Sequence, residues 1–365
     1  MRRHILMLAL AAALVPPAAL GAAGSASWAK PQIAVVVAHG LMGASDPASF
    51  RPDDPLTKGA LANLATGLAA ELAPPDSATT TPTLPTTTTT TTPTTAATSA
   101  PVADAAAPVT MAQLDSRLVG VLSLGPAASA FARGARAAGL QVPSRFGTEV
   151  VARLLGLRTN HPAEQDALEL RPNDPATRAE AAYSAAQILG FRGFETTSVA
   201  AAAQEFALPT LTPWQQRILD TAVRFIGYPY VWGGTSENTE TELGVTSRGG
   251  FDCSGFVWRV YKLQAYADEG TLASTLRGRT TFQMSGEVPR SDRISFPNLE
   301  PGDVLFWGAK GPKSKPSQVD HAGIYLGNGW FIHSSEYGVA LAQLQGWYRD
   351  RFAWARRPLA EAGLE

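Results

Sequence analysis

Apolar positions recur at helical spacing in several stretches of the chain. In TPWQQRILDTAVRFIG the apolar residues Trp214, Ile218, Ala222 and Phe225 form one stripe. A Thr-Pro start and a Gly stop bound this helix, and the stripe faces a core. A second helical pattern opens at Cys253 in GFDCSGFVWRVYKLQAY, with Phe256, Val257, Val260, Tyr261 and Leu263 on its apolar face. Two more helices, KGALANLATGLAAEL and RAEAAYSAAQIL, each follow an Asp-Pro turn: FRPDDPLT at 50–57 and LRPNDPAT at 170–177. Pro restricts its predecessor, and Thr57 or Thr177 caps the helix through its hydroxyl. The period then changes to that of strands. DHAGIYLGNGWFIHSS has two apolar runs around Gly327-Asn328-Gly329 and predicts a β-hairpin with His321 and His333 on its two arms.

Two segments fall outside these patterns. The apolar run from Ile5 to Val15 follows Arg2 and Arg3, is too short to span a bilayer, and is followed by small residues. It reads as an export signal over residues 1–26, cleaved after Ala23 or Ala26, which leaves an exported protein with no membrane segment. Residues 76–108 are a Thr/Pro/Ala tract with few large apolar groups; it reads as a disordered linker that spaces the regions on its two sides. A chain of 365 residues suits two or more domains. The net charge of −1 carries no footprint for nucleic acid or an anionic membrane surface.

The chain has a single Cys, so neither an internal disulfide nor a Cys-based metal cluster is available. A buried inert thiol is one reading. The position of Cys253 at a helix start favours another, because the unpaired N–H groups there are expected to lower the thiol pKa towards the nucleophilic thiolate. A base is also required. His321 and His333, on one hairpin, can supply it and orient it. Cys253, His321 and His333 could also hold zinc, but no metal-ligand spacing supports this, so no metal or cofactor is expected.

Four ordered segments, GYPYVWGG (227–234), FDCSGFV, LEPGDVLFWG (299–308) and DHAGIYLGNGWFIHSS, resemble the motifs of the NlpC-type cell-wall peptidases, a papain-like family. The resemblance covers about residues 209–360. It implies an α+β fold in which a Cys-bearing helix packs on an antiparallel sheet, with Cys253 as nucleophile, His321 as general base and His333 as the orienting residue. It places Tyr230 near the oxyanion side, and Asp252 and Ser254 where they contact the substrate; Trp232 is expected in the core. The loops 234–250 and 308–320 are expected to rim the cleft. Upstream, residues 27–75 and 109–200 resemble surface-layer homology repeats, one of them degenerate, in a mostly α-helical region. TRAE stands intact at Thr177 to Glu180. Such repeats commonly bind secondary cell-wall polymers, with Arg178 as the anion-pairing candidate; the same TRAE also serves as a helix cap in a plain helical spacer.

The reading is therefore a secreted peptidoglycan hydrolase that cuts stem-peptide amide bonds, with the D-glutamyl–diamino acid bond implied by the resemblance. A non-catalytic wall-binding or surface-layer protein, or an amidase or acyltransferase on the same fold, stays open.

Overall fold

The computed structural model describes residues 27–73 and 103–365. Residues 1–26, read above as an export signal, and residues 76–102 of the Thr/Pro tract lie outside the described residues.

Three turns that end in Thr each start a helix. The hydroxyls of Thr57, Thr110 and Thr177 accept from the backbone N–H of Ala60, Gln113 and Glu180, which removes an orphan donor from each helix. In the two RPxD turns an ion pair closes the loop, Arg51 Nη2 to Asp54 Oδ2 at 2.7 Å and Arg171 Nη2 to Asp174 Oδ1 at 3.0 Å. The three turns bond in a closed ring. Leu56 N–H donates to Ala176 O at 2.7 Å, Ala176 N–H to Val109 O at 2.9 Å, and Val109 N–H to Leu56 O at 2.9 Å. Residues 103–108, assigned to the linker from composition, therefore belong to this ring: Lys58 N–H donates to Ala107 O and Gly59 N–H to Ala105 O, both at 2.9 Å. The third turn escapes the sequence echo because DAAAP replaces RPxDP while only Pro108 and Thr110 persist.

The helices of this region are α1 (Lys30–Ala38), α2 (Lys58–Glu71), α3 (Met111–Val121), α4 (Gly125–Ala137), α5 (Phe146–Leu154), α6 (Arg178–Leu189) and α7 (Phe194–Glu205). Helix α1 packs on α6, α2 on α3, and α4 on α5 and α7. Leu61, Leu64 and Leu68 of α2 and Leu114 and Leu118 of α3 are buried, each contributing roughly 1.5–3 kcal/mol of transfer free energy. A charged cluster sits inside this region. Arg158 donates to Asp115 Oδ2 at 3.2 Å and to Leu170 O at 3.1 Å, with Glu149, Arg153 and Glu180 buried nearby. Burial pushes the Asp115 carboxyl up to about 7.

Helix α8 (Pro213–Arg224) opens the C-terminal unit, capped by Thr212 and Gln215 as its Thr-Pro start predicts. Two short ribbons follow: β1 (Thr235–Ser236) pairs β4 (Gly250–Phe251), and β2 (Glu240–Glu242) pairs β3 (Val245–Ser247). Helix α9 (Cys253–Trp258) continues as a π-helical turn over Arg259–Leu263. Then come α10 (Leu272–Thr275), α11 (Thr281–Gly286), β5 (Val304–Gly308), β6 (Val319–Gly327), β7 (Trp330–Ser335), β8 (Gly338–Gln343), α12 (Gly346–Arg351), β9 (Phe352–Arg356) and α13 (Pro358–Glu361). Strands β5 to β9 form one antiparallel sheet in the order β8-β7-β6-β5-β9. Its strands read as continuous apolar runs because both faces are covered. Phe306, Ile324 and Ile332 join the large core shared with the helices, and Leu305, Trp307, Tyr325 and Phe331 form a second cluster. The β6–β7 turn has positive φ at Asn328 (49°) and Gly329 (80°), the Asn-Gly combination such a hairpin requires.

The two regions share an interface. Buried Arg153 of α5 donates to the carbonyls of Gly227 and Tyr337. Arg145 Nη2 donates to Arg224 O at 2.6 Å, and Asp220 Oδ1 accepts from Gln141 N–H at 2.7 Å. Phe206, just after α7, stacks on Phe131 and Trp330, with ring centroids 5.1 Å apart in each case. The Thr/Pro tract thus leaves α2 and returns to its start within the repeat region. It joins the first repeat to residues 109–200, with 103–108 of the expected linker paired into the ring.

Candidate active site

Cys253 is the first residue of α9 and is 8% exposed. Asp252 caps the helix by accepting from Gly255 N–H. The close approach of α9 to the preceding loop requires Gly255, since a Cβ there would lie 1.9 Å from Gly234 O. Helix α9 packs on β6, the strand of His321, which brings the backbone N–H groups of Ala322 and Ser254 to bear on the thiol. These donors and Arg279 favour the thiolate. Burial and the Asp252 charge outweigh them and push the thiol up to about 12. The direction is opposite to the one expected from the helix start, because desolvation penalises the charged form more than the short helix favours it.

The hairpin register aligns Ile324 with Ile332, so His333 lies opposite Gly323 and diagonal to His321 on one face. Their rings meet: His321 Nε2 is 2.7 Å from His333 Nδ1. A side chain at position 323 would crowd this pair, since a Cβ on Gly323 would lie 3.1 Å from the Cβ of His333. Trp307 packs on His321 at 5.3 Å, and Phe331 and Tyr348 on His333 at 4.9 and 5.3 Å. Burial pushes His321 down to about 4 and His333 well below its ordinary value, His333 also through the charge of His321. At neutral pH the site therefore holds a neutral thiol and two neutral imidazoles. Among the described residues, no three His, Cys, Asp or Glu side chains converge as a metal site would require.

Tyr230 is half-buried beside Cys253, and burial followed by the Cys253 charge pushes its phenol further up, so it remains a donor. Ser254 Oγ donates to Asp252 Oδ1 at 3.1 Å. Trp232 is 54% exposed and is not part of the core. Sequence reading missed Arg279. Its guanidinium bonds both Asp252 oxygens at 3.1 and 3.0 Å, Ser254 Oγ at 2.7 Å and Gly233 O at 2.8 Å. Nothing in the local sequence LRGRTTF marks it; only the packing of the segment before α11 against the start of α9 brings it there. Arg178, the polymer-pairing candidate, lies far along the chain from this site. It donates to Phe50 O at 2.8 Å and Met42 O at 3.1 Å and lies over the Phe50 ring, tying the first repeat to α6.

A cleft of about 730 Å³ opens at the site, lined by Tyr230, His321, Ser335, Glu336, Tyr337, Trp347 and Tyr348 and by two residues of the repeat region, Asn160 and His161.

Residues 227–357 match the family model of the NlpC/P60 family. The C-terminal unit is an NlpC/P60 domain. Residues 22–62 match the S-layer homology domain. The NlpC/P60 segment is 34% identical to the "Probable peptidoglycan endopeptidase LytE" of Bacillus subtilis (strain 168), over 39% of this chain and 34% of that protein. It is 31% identical to the "Gamma-D-glutamyl-L-lysine dipeptidyl-peptidase" of the same organism, over 34% of this chain and 33% of that one. The matches thus span about a third of the length of these curated relatives. Among solved structures, the NlpC/p60 domain of the peptidoglycan hydrolase SagA is 29% identical, covering 39% of this chain and 97% of that chain with a TM-score of 0.27.

Proposed function

We infer that the protein is a secreted cysteine endopeptidase that hydrolyses amide bonds in peptidoglycan stem peptides, with 209–360 as its catalytic unit. The observation that carries this reading is the 2.7 Å contact between His321 Nε2 and His333 Nδ1, with His321 on β6, the strand on which the Cys253-bearing α9 packs. With Nε2 engaged by His333, Nδ1 is the nitrogen of His321 left to take the thiol proton. This requires the proton of resting His321 on Nε2, donated to His333 Nδ1, and the proton of His333 on its own Nε2. When Nδ1 takes the thiol proton, His321 becomes an imidazolium and its bond to His333 becomes charge-assisted.

The thiolate attacks the scissile carbonyl. The Cys253 backbone N–H and the Tyr230 hydroxyl stabilise the oxyanion, and the amine leaves with the proton from His321. Water, deprotonated by His321, then hydrolyses the thioester and frees Cys253. Arg279 holds Asp252 and Ser254 in place for the polar groups of the stem. The name of one relative, the gamma-D-glutamyl-L-lysine dipeptidyl-peptidase, supports the γ-D-glutamyl–diamino acid bond as the target. The repeat region, tied together by Arg178, is the part that retains the protein on the wall through a secondary polymer.

The test is digestion of purified peptidoglycan by the wild type and by Cys253→Ala. Stem fragments ending at D-glutamate from the wild type alone support the reading. Intact sacculi with both folded proteins remove it and favour a non-catalytic wall-binding role.

A further inference from the structure

The wall of the cleft built by Asn160 and His161 belongs to the repeat region, from the loop that follows α5. This loop is locked to the catalytic unit. Asn160 Oδ1 accepts from Tyr230 N–H at 3.0 Å, its Nδ2 donates to Ser335 O at 2.9 Å, and its backbone N–H donates to Glu336 O at 3.1 Å. Asp166 of the same loop accepts from Trp232 N–H at 2.9 Å. The loop therefore positions the Tyr230 segment as well as walling the cleft.

His161 has a more specific feature. Its side chain is 2% exposed, and Nδ1 lies 2.9 Å from Glu169 Oε1, which also accepts from the His161 backbone N–H. The other ring nitrogen, Nε2, is buried with no hydrogen-bond partner among the described residues, and His161 is one of the residues lining the cleft. With the Nδ1 proton held on Glu169, Nε2 donates only in the imidazolium, and a substrate carboxylate is the acceptor that suits that form. Burial opposes the charged ring. Glu169, and then Glu180 of α6 and Asp166, outweigh it and raise the pKa. Among the described residues no Lys or Arg lines the cleft, Glu336 is its acid, and burial pushes His321 down to about 4. His161 is thus the cleft-lining residue besides the catalytic His321 that can form a cation, and the one whose carboxylate neighbours favour it.

We propose that His161 is a substrate-binding residue of the peptidase, donating from Nε2 to the free α-carboxylate of the γ-linked D-glutamyl residue next to the scissile bond. The proposal rests on the endopeptidase reading above. In a γ-linked D-glutamyl residue, this carboxylate is the anion on the acyl side of the amide that is cut. Amidation of that group, to D-isoglutaminyl, removes the charge and turns an acceptor-only group into one that also donates. Glu169 is then a positioning residue that keeps Nε2 turned away from itself.

The test uses the full chain and two synthetic stem tripeptides, one with the D-glutamyl carboxylate free and one amidated, with KM and kcat measured separately. The expected result is a wild-type preference for the acidic stem, carried by KM. In His161→Gln this preference falls on the order of tenfold, the size of one charge-assisted hydrogen bond. In the wild type, KM for the acidic stem rises as the pH passes above the His161 pKa, whereas KM for the amidated stem does not follow it; this readout needs no variant to fold. An equal KM for both stems in the wild type, or the same preference in His161→Gln as in the wild type, overturns the proposal while the peptidase reading stands. Cleavage of neither stem by the wild type overturns both.

Discussion

His321 and His333 show how a pair of ordinary residues acquires a role through register. Twelve positions apart in the sequence, they meet because the Asn328-Gly329 turn sets the pairing of β6 with β7 and Gly323 leaves room between them. The hairpin and the pairing of these residues were legible in the sequence, since turn chemistry and alternation suffice for both. The pKa of Cys253 was not, because it depends on how deeply α9 is buried. Two predictions belong to this scale. Replacing His333 with Phe removes the acceptor that fixes the His321 tautomer, and kcat falls on the order of a hundredfold with little change in KM, whereas His333→Asn recovers part of the loss. The pH profile of kcat is the second. Because burial holds His321 at about 4, kcat stays level through neutral pH. It falls only as His321 is protonated, with an acid midpoint well below the ordinary histidine value of about 6.5. A midpoint at 6.5 or above contradicts the buried neutral pair.

At the scale of elements, the start of α9 is held by parts that arrive from separate segments. Asp252 caps it, Arg279 clamps Asp252 and Ser254, and Gly255 lets the Gly234 carbonyl approach. Gly255→Ala forces that loop away from the nucleophile. We expect a loss of about 1–3 kcal/mol, read as a lowered thermal midpoint, together with a drop in kcat. An unchanged midpoint contradicts the close approach. Helices α8 and α9 and the hairpin were visible from periodicity and caps. Arg279 was not, since a long-range polar contact leaves no local pattern. Trp232 was misplaced in the core because an aromatic between Val231 and Gly233 reads as buried until the loop is seen to turn it outward. The third repeat turn was hidden for a related reason: backbone hydrogen bonds maintain the ring of Leu56, Val109 and Ala176, and these tolerate replacement of the RPxD side chains.

At the scale of the molecule, the repeats and the NlpC/P60 domain form a continuous structure, with Arg153 buried between them. The full chain is expected to unfold in one calorimetric transition, and Arg153→Met to lower that transition as a whole; two independent transitions contradict the shared core. The Thr/Pro tract begins and ends within the ring of repeats. Cleavage at a protease site inserted near position 90 therefore leaves the first repeat bound, and the two fragments co-elute on gel filtration. Composition identified the tract but not where it ends, because pairing of its flank (Lys58 with Ala107, Gly59 with Ala105) is a tertiary property.

The most direct measurement is mass spectrometry of the protein quenched in acid during turnover of a stem tripeptide and then digested. The account predicts that the peptide containing Cys253 carries the mass of the acyl half of the substrate as a thioester, and that Cys253→Ala carries none. Product accumulation with no adduct on Cys253, or with an adduct on another residue, contradicts it.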